Sequence, residues 1–260
     1  MSKIFLFACL LACLLLCQAA PARAQTNYSW LPKGAIVLET RQLNSPNQPN
    51  RMLVLWMINP KKQPDNYKSD DIYTCPDESR GSYYSGPTRV SLVDSVTNTL
   101  INTIKVAEDD GEANDEFDLP YAIRKGYYYE VPSRSPAKLE VKPTIMALKD
   151  YNGDGRVAEF ALFDAEACMG LATALIGYSE TQDRVIQYPV ELVVIENGKR
   201  TTTTNLWSDY LLKKQPLNPG HWKYEIDYRG RGGTLDKWEV NYNAMKEVFE
   251  GTLTVVNDEP

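Results

Sequence analysis

The chain has 260 residues, 43% of them hydrophobic, with 28 Lys and Arg against 34 Asp and Glu, a formal net charge of −6. That length supports a sizeable core without the help of metals or disulfides. The basic residues are scattered rather than clustered, which argues against nucleic acid or an anionic membrane as partner, because both demand grouped Lys and Arg.

The first segment, "MSKIFLFACLLACLLLCQAAPARAQ", carries one Lys and then an apolar run of 13 residues from Ile4 to Leu16. A membrane-spanning helix needs roughly 20 such residues, so no transmembrane span is expected here. Small residues ending in Ala22-Arg23-Ala24 match a signal-peptidase site, so residues 1–24 read as a secretion signal with Gln25 as the new N-terminus. Leu10-Leu11-Ala12-Cys13 offers the alternative of a lipobox and a lipid-anchored envelope protein. The expected location is secreted or periplasmic, with the lipid-anchored envelope protein as the alternative. Removing the signal takes away Cys9, Cys13 and Cys17 and leaves Cys75 and Cys168, which in an oxidising compartment are expected to form one disulfide.

Beyond the leader, strand signals dominate. "GAIVLET", "RMLVLWMI", "TRVSLVD", "TLINTIKV", "EFALFD", "RVIQYPVELVVIE", "WKYEIDY", "KWEVNY" and "EGTLTVV" are short, rich in β-branched and aromatic residues, and bounded by Gly, Pro, Asn or Asp. Only Ala165 to Ile176 and Tyr242 to Phe249 hint at helical spacing. The expected class is all-β, or mainly β with one or two short helices, built from antiparallel sheets as a sandwich or a partial propeller-like arrangement. A Pro- and Ser-rich stretch at 132–143 is the expected connection between an N-terminal half, 25–131, and a C-terminal half, 144–260. "EDDGEANDEFD", Glu108 to Asp118, reads as a solvated acidic hairpin loop. "RGRGG", Arg229 to Gly233, reads as a turn between two strands, because it lacks the spacing of a phosphate-binding loop.

One stretch makes a clear chemical statement: "KDYNGDGRVAEFALFDAEACMG", Lys149 to Gly170. Calcium takes six to eight oxygens, and a short peptide supplies them by curling round the ion with alternate residues pointing inward. Asp150, Asn152 and Asp154 alternate in this way, Gly155 stands sixth, where the backbone must turn sharply, and the carbonyl of Arg156 stands seventh. "DYNGDGRVAEFALFD" resembles the calcium loop of FG-GAP and VCBS-type repeats, in which the loop leads into a β-strand of an extracellular binding or adhesion protein. The resemblance covers about fifteen residues in a single copy, and with "YTCPDESRGSYYSGPTRVSLVD" and "EACMGLATALIGYS" the chain is similar to exported bacterial proteins carrying one such loop. It implies a Ca²⁺ held by Asp150, Asn152, Asp154 and the Arg156 carbonyl. The family's ninth-position carboxylate falls on Ala158, so Glu159, one residue late, is the expected closing ligand, with Asp164 as a substitute. Dockerin and EF-hand loops need an acid twelfth, where this chain has Ala161.

Other chemistries find less support. His221 is the only histidine, and the chain has no Gly-x-Ser-x-Gly elbow, so a Ser-His-Asp hydrolase lacks its parts. One His and two distant Cys fall short of a zinc ligand set. A glycosidase needs only two carboxylates, and no feature marks a pair. Tyr127 to Tyr129, or Trp207, Trp222 and Trp238, could stack on sugars, although aromatics in β proteins more often pack. The expected function is therefore a non-enzymatic binding or structural role towards an extracellular or envelope ligand, with a structural calcium site. The alternatives are a secreted carboxylate-dependent hydrolase and a carbohydrate-binding module that uses aromatic stacking.

Overall fold

The computed structural model describes residues 28–63, 82–107, 116–120, 122–123, 126–127, 143–167, 170–205, 211 and 214–257. Cys75, Cys168, residues 1–24 expected to be a leader, residues 108–115 and residues 132–142 of the expected connection lie outside the described residues. The chain divides into two compact units, Met1–Leu31 and Pro32–Pro260. In the first, the described residues include Tyr28 and Trp30, whose ring centroids lie 5.3 Å apart.

The protein is essentially all-β. The first sheet contains β1 (Ala35–Gln42), β2 (Arg51–Ile58), β3 (Lys61–Gln63), β4 (Tyr83–Asp94), β5 (Thr99–Lys105) and β6 (Glu116–Leu119), ordered β1-β2-β4-β3, with β5 and β6 also pairing to β4. β7 (Ala122–Ile123) and β8 (Gly126–Tyr127) form a two-stranded ribbon. The second sheet is β9 (Glu159–Ala167), β10 (Gly170–Ser179) and β11 (Arg184–Gln187), ordered β11-β10-β9. The third is β12 (Val190–Glu196), β13 (Lys199–Asn205), β14 (His221–Asp227), β15 (Leu235–Asn243) and β16 (Val248–Val256), ordered β13-β12-β16-β15-β14. The named strands pair antiparallel except β12 with β16, which run parallel.

The two segments with a hint of helical spacing are not helices where they are described: 165–167 and 170–176 fall in β9 and β10, and 242–249 is the end of β15, a turn and the start of β16. Small and β-branched residues are placed there by cross-strand pairing, such as Ala174 opposite Leu162, which overrides their weak local preference. Among the described residues no helix is long and apolar enough to cross a membrane.

The alternation of side chains along a strand decides how the sheets stack. In β10, Ala174, Ile176 and Tyr178 enter a first core with Leu53, Leu55, Met57, Val90 and Leu92 of the first sheet. Leu175, pointing the other way, enters a second core with Tyr188, Leu192, Trp222, Val240 and Phe249. The short second sheet is thus a middle layer with a core on each face. Being covered on both faces suits its apolar composition, and the same holds for "LVLWM" in β2, buried throughout.

Side-chain amides extend the pairing where strands end. Asn102 of β5 donates to the carbonyl of Val185 and accepts its N–H, both at 2.9 Å. Gln187 of β11 does the same for Ala107, at 2.8 and 3.0 Å. The carboxylate of Glu39 accepts the N–H groups of Ile145 and Met146 at 2.6 and 3.2 Å, which fixes the chain entering the 149–159 loop against β1.

Candidate functional site

The loop is closed at its base by a two-bond bridge: Lys149 N–H donates to the Glu159 carbonyl at 2.7 Å and Glu159 N–H returns the bond at 3.1 Å. Between these ends the short polar side chains fold the backbone on itself. Asp150 accepts the N–H of Gly153 at 2.7 Å with one oxygen and that of Gly155 at 3.0 Å with the other. Asn152 accepts Asp154 N–H at 3.0 Å, and Asp154 accepts Arg156 N–H at 2.8 Å. Successive Asx turns of this kind curl a chain tightly. Gly153 and Gly155 take the left-handed conformation the curl requires, at φ +79° and +83°.

The loop tip docks on a second turn. A Cβ on Gly153 would lie 2.4 Å from the Pro219 carbonyl oxygen, and one on Gly220, also left-handed, would lie 2.4 Å from that of Asn152. Two backbones therefore meet through a pair of glycines. Gly220 in turn accepts the N–H of Tyr242 at 2.8 Å, which ties this turn to β15.

Glu159 and Asn152 face inward. Glu159 begins β9 opposite Gly177, on the face of the middle sheet that turns towards Tyr188 and the second core, and it is fully buried. Its carboxylate accepts Tyr151 N–H at 2.9 Å and the Asn152 amide at 3.3 Å. Burial pushes its pKa up to about 8, opposed by the backbone N–H groups of Tyr151 and Asn152 and reinforced by the negative charges of Asp154 and Asp150. The Asn152 side chain also lies beside Tyr188 and Tyr242, and burial holds the Tyr242 phenol up at about 12. Arg156 reaches from the loop to its surroundings: Nε lies 3.5 Å from the Asp154 carboxylate, and the guanidinium pairs with Glu180, which also accepts Ser45 at 2.5 Å and Asn47 at 3.2 Å.

Asp150, Asn152, Asp154, Arg156 and Glu159 thus lie in one curled segment, while Asp164 lies within β9 opposite Ala172. Among the described residues no group of three or more His, Cys, Asp or Glu side chains is gathered as a metal centre. The donor set does suit a hard cation: carboxylates, an amide oxygen and a main-chain carbonyl. A carboxylate oxygen that accepts one N–H keeps lone-pair capacity for an ion. Tyr188, Tyr242, Gly220 and Glu180 support the loop and are not apparent in its sequence. The one signal was "NPGH", a turn dipeptide before a strand, which says nothing about the turn's neighbour.

A second feature lies on the outward face of the third sheet. Alternation and register place Lys223, Glu239, Thr252, Val193 and Thr202 in one row across the strands, and Glu225, Lys237 and Thr254 in the next. These rows line an open groove of about 880 Å³. Lys223 pairs with Glu239 at 3.0 Å and Lys237 with Glu225 at 3.6 Å. Lys246 bridges Glu191 at 3.2 Å and Glu250 at 2.7 Å. These partners hold Glu239 and Glu250 below the usual carboxylate range. His221 stands at the end of β14 with Nε2 3.6 Å from Glu239.

Tyr224 and Trp238 also line this groove. Trp222 is in the second core, and Tyr224 and Trp238 pack against that core with rings nearly parallel at 6.1 Å. Trp207, Tyr128 and Tyr129 lie outside the described residues, and of Tyr127 only the backbone is described. Set against known proteins, the chain matches no protein-family profile, no curated protein and no solved structure.

Proposed function

We propose that this is an exported β-rich protein with a non-enzymatic binding or structural role, in which the 149–159 loop takes a calcium ion that stiffens the junction between the middle and third sheets. The observation that carries this reading is the loop's form: three oxygen-bearing side chains at alternate positions, two left-handed glycines, and a buried carboxylate, Glu159, behind them. Asp150, Asn152, Asp154 and the Arg156 carbonyl would hold the ion, with Glu159 closing the shell. A divalent cation would also favour the ionised form of Glu159, which burial and the neighbouring aspartates disfavour. Support for binding over carboxylate hydrolysis comes from the groove, where Glu239 and Glu250 are displaced downward, whereas a general acid must be held up.

An ion that binds only the folded loop stabilises the fold by mass action, by about 2.7 kcal/mol at roughly 100-fold over Kd. For a chain of this size that corresponds to several degrees in Tm. The test is thermal unfolding in EDTA and then in millimolar Ca²⁺, beside an Asp150→Ala/Asp154→Ala variant. A calcium-dependent rise that the variant loses is expected; equal melting in both buffers would overturn the reading. Export carries a second expectation, a Cys75–Cys168 bond, visible as a mass change on reduction and alkylation of the secreted chain.

A further inference from the structure

The outward face of an antiparallel sheet ordinarily meets solvent as a surface of alternating polar side chains. Here that face is hollowed into a groove of about 880 Å³, within the usual range for a small-molecule site. We infer that this groove binds a neutral oligosaccharide, lying across Thr252 and Thr254 and held by the flanking Lys–Glu pairs. The inference rests on the binding role proposed above and supplies its ligand class.

The chemistry of the lining selects the ligand. Val193, Thr252 and Thr254 make a neutral floor, and each threonine hydroxyl both donates and accepts. Along one side stand Lys223 with Glu239 and Lys237 with Glu225, each placing an ammonium donor beside a carboxylate acceptor, at 3.0 and 3.6 Å. That is the complement of the adjacent hydroxyls of a sugar ring, one accepting and the next donating. The pairs are inverted between rows, with Lys on β14 in the first and on β15 in the second, so donors and acceptors alternate along the groove as well as across it.

Charge excludes the competitors. Lys223 and Lys237 are matched by Glu239 and Glu225, and Lys246 already spans Glu191 and Glu250. A polyanion would face these four carboxylates, and a cationic chain would have to displace lysines from existing pairs. An apolar peptide would find Val193 on the floor and only those parts of Tyr224 and Trp238 that packing against the second core leaves at the lining. With hydrogen bonds carrying most of the contact, affinity is expected to be weak, micromolar to millimolar.

The experiment is titration of the ¹⁵N-labelled intact chain with cellohexaose, laminarihexaose and mannohexaose, each in EDTA and in millimolar Ca²⁺, with polylysine and polyglutamate as charged probes. Saturable shifts at residues 223–225, 237–241 and 252–254 with at least one sugar are expected. Thr252→Val/Thr254→Val should weaken that sugar at least tenfold with unchanged Tm, because valine suits a half-buried strand position. No saturable shift with any of the sugars, shifts confined to another surface, saturation by a charged probe alone, or unchanged affinity in the variant would overturn the inference. Because Tm is read in the same buffers, calcium stabilisation without sugar binding would sink the groove and leave the loop standing; sugar binding without calcium stabilisation would do the reverse.

Discussion

Glu159 is a carboxylate with no exposed surface, and what surrounds it explains both its place in the chain and its chemistry. It follows the loop by one residue more than the calcium-loop pattern asks, and in register it stands opposite Gly177, where the missing side chain leaves room for it beside Tyr188. A pKa raised from 4.5 to about 8 has a definite consequence for stability. The unfolded chain ionises this group first, so the folded state is favoured below pH 4.5 and loses that advantage progressively up to about pH 8. In EDTA, therefore, Tm should fall between pH 5 and pH 8, and Glu159→Gln should flatten this decline while retaining a bond from Tyr151 N–H. A variant whose Tm follows the wild-type pH curve would show that Glu159 is not the titrating group. Alternation in "EFALFD" showed that Glu159 and Ala161 share a face, but which face meets a core depends on layers assembled from distant strands. That is why the segment was legible as a buried strand and Glu159 as a ligand candidate, while the core that Glu159 faces was not.

At the scale of elements, the meeting of the 149–159 loop with the 217–220 turn controls how the middle and third sheets join. Gly153 and Gly220 each occupy space that a Cβ would contest with a carbonyl oxygen at 2.4 Å, and both are left-handed, whereas Gly155 is left-handed in open space. Alanine at Gly155 should cost only the left-handed penalty, about 1–2 kcal/mol. Alanine at Gly220 must add backbone displacement, and a cost of about 3 kcal/mol or more is expected from strain of this kind. Urea unfolding of the two variants measures the difference; equal losses would mean that the turn and loop do not press on one another. Local turns of this protein are plain in the sequence: Asn197-Gly198, at φ +50° and +74°, is the two-residue hairpin signal between β12 and β13. What local sequence does not contain is the parallel pairing of β12 with β16 or the docking of one loop on another, because both join segments dozens of residues apart.

For the Pro32–Pro260 unit as a whole, the middle sheet decides whether the fold melts in one step. The first core takes Leu53, Met57 and Leu92 from before the Pro- and Ser-rich stretch and Phe160, Leu162 and Ile176 from after it. The second core shares β10 with the first through Leu175, and Trp222 and Phe249 complete it as an edge-on aromatic pair at 5.9 Å. A polar hub at the tip of the β10–β11 hairpin adds to this. There Arg51 of β2 grips Asp183 at 2.6 and 2.7 Å, and Glu247, before β16, accepts Ser179 at 2.6 Å. Loss of either core uncovers one face of the same three strands, so the two cores should not unfold independently. Met57→Ala in the first core and Trp222→Ala in the second are expected to cost about 2–5 and 3–5 kcal/mol, the usual range for such cavities. Scanning calorimetry should show a single transition, shifted down as a whole by either substitution, with a calorimetric enthalpy equal to the van't Hoff value. If Met57→Ala split the trace and left a component at the original temperature, the segments on either side of 132–143 would be folding as separate domains. The middle sheet would then be a contact surface rather than the shared centre of the fold.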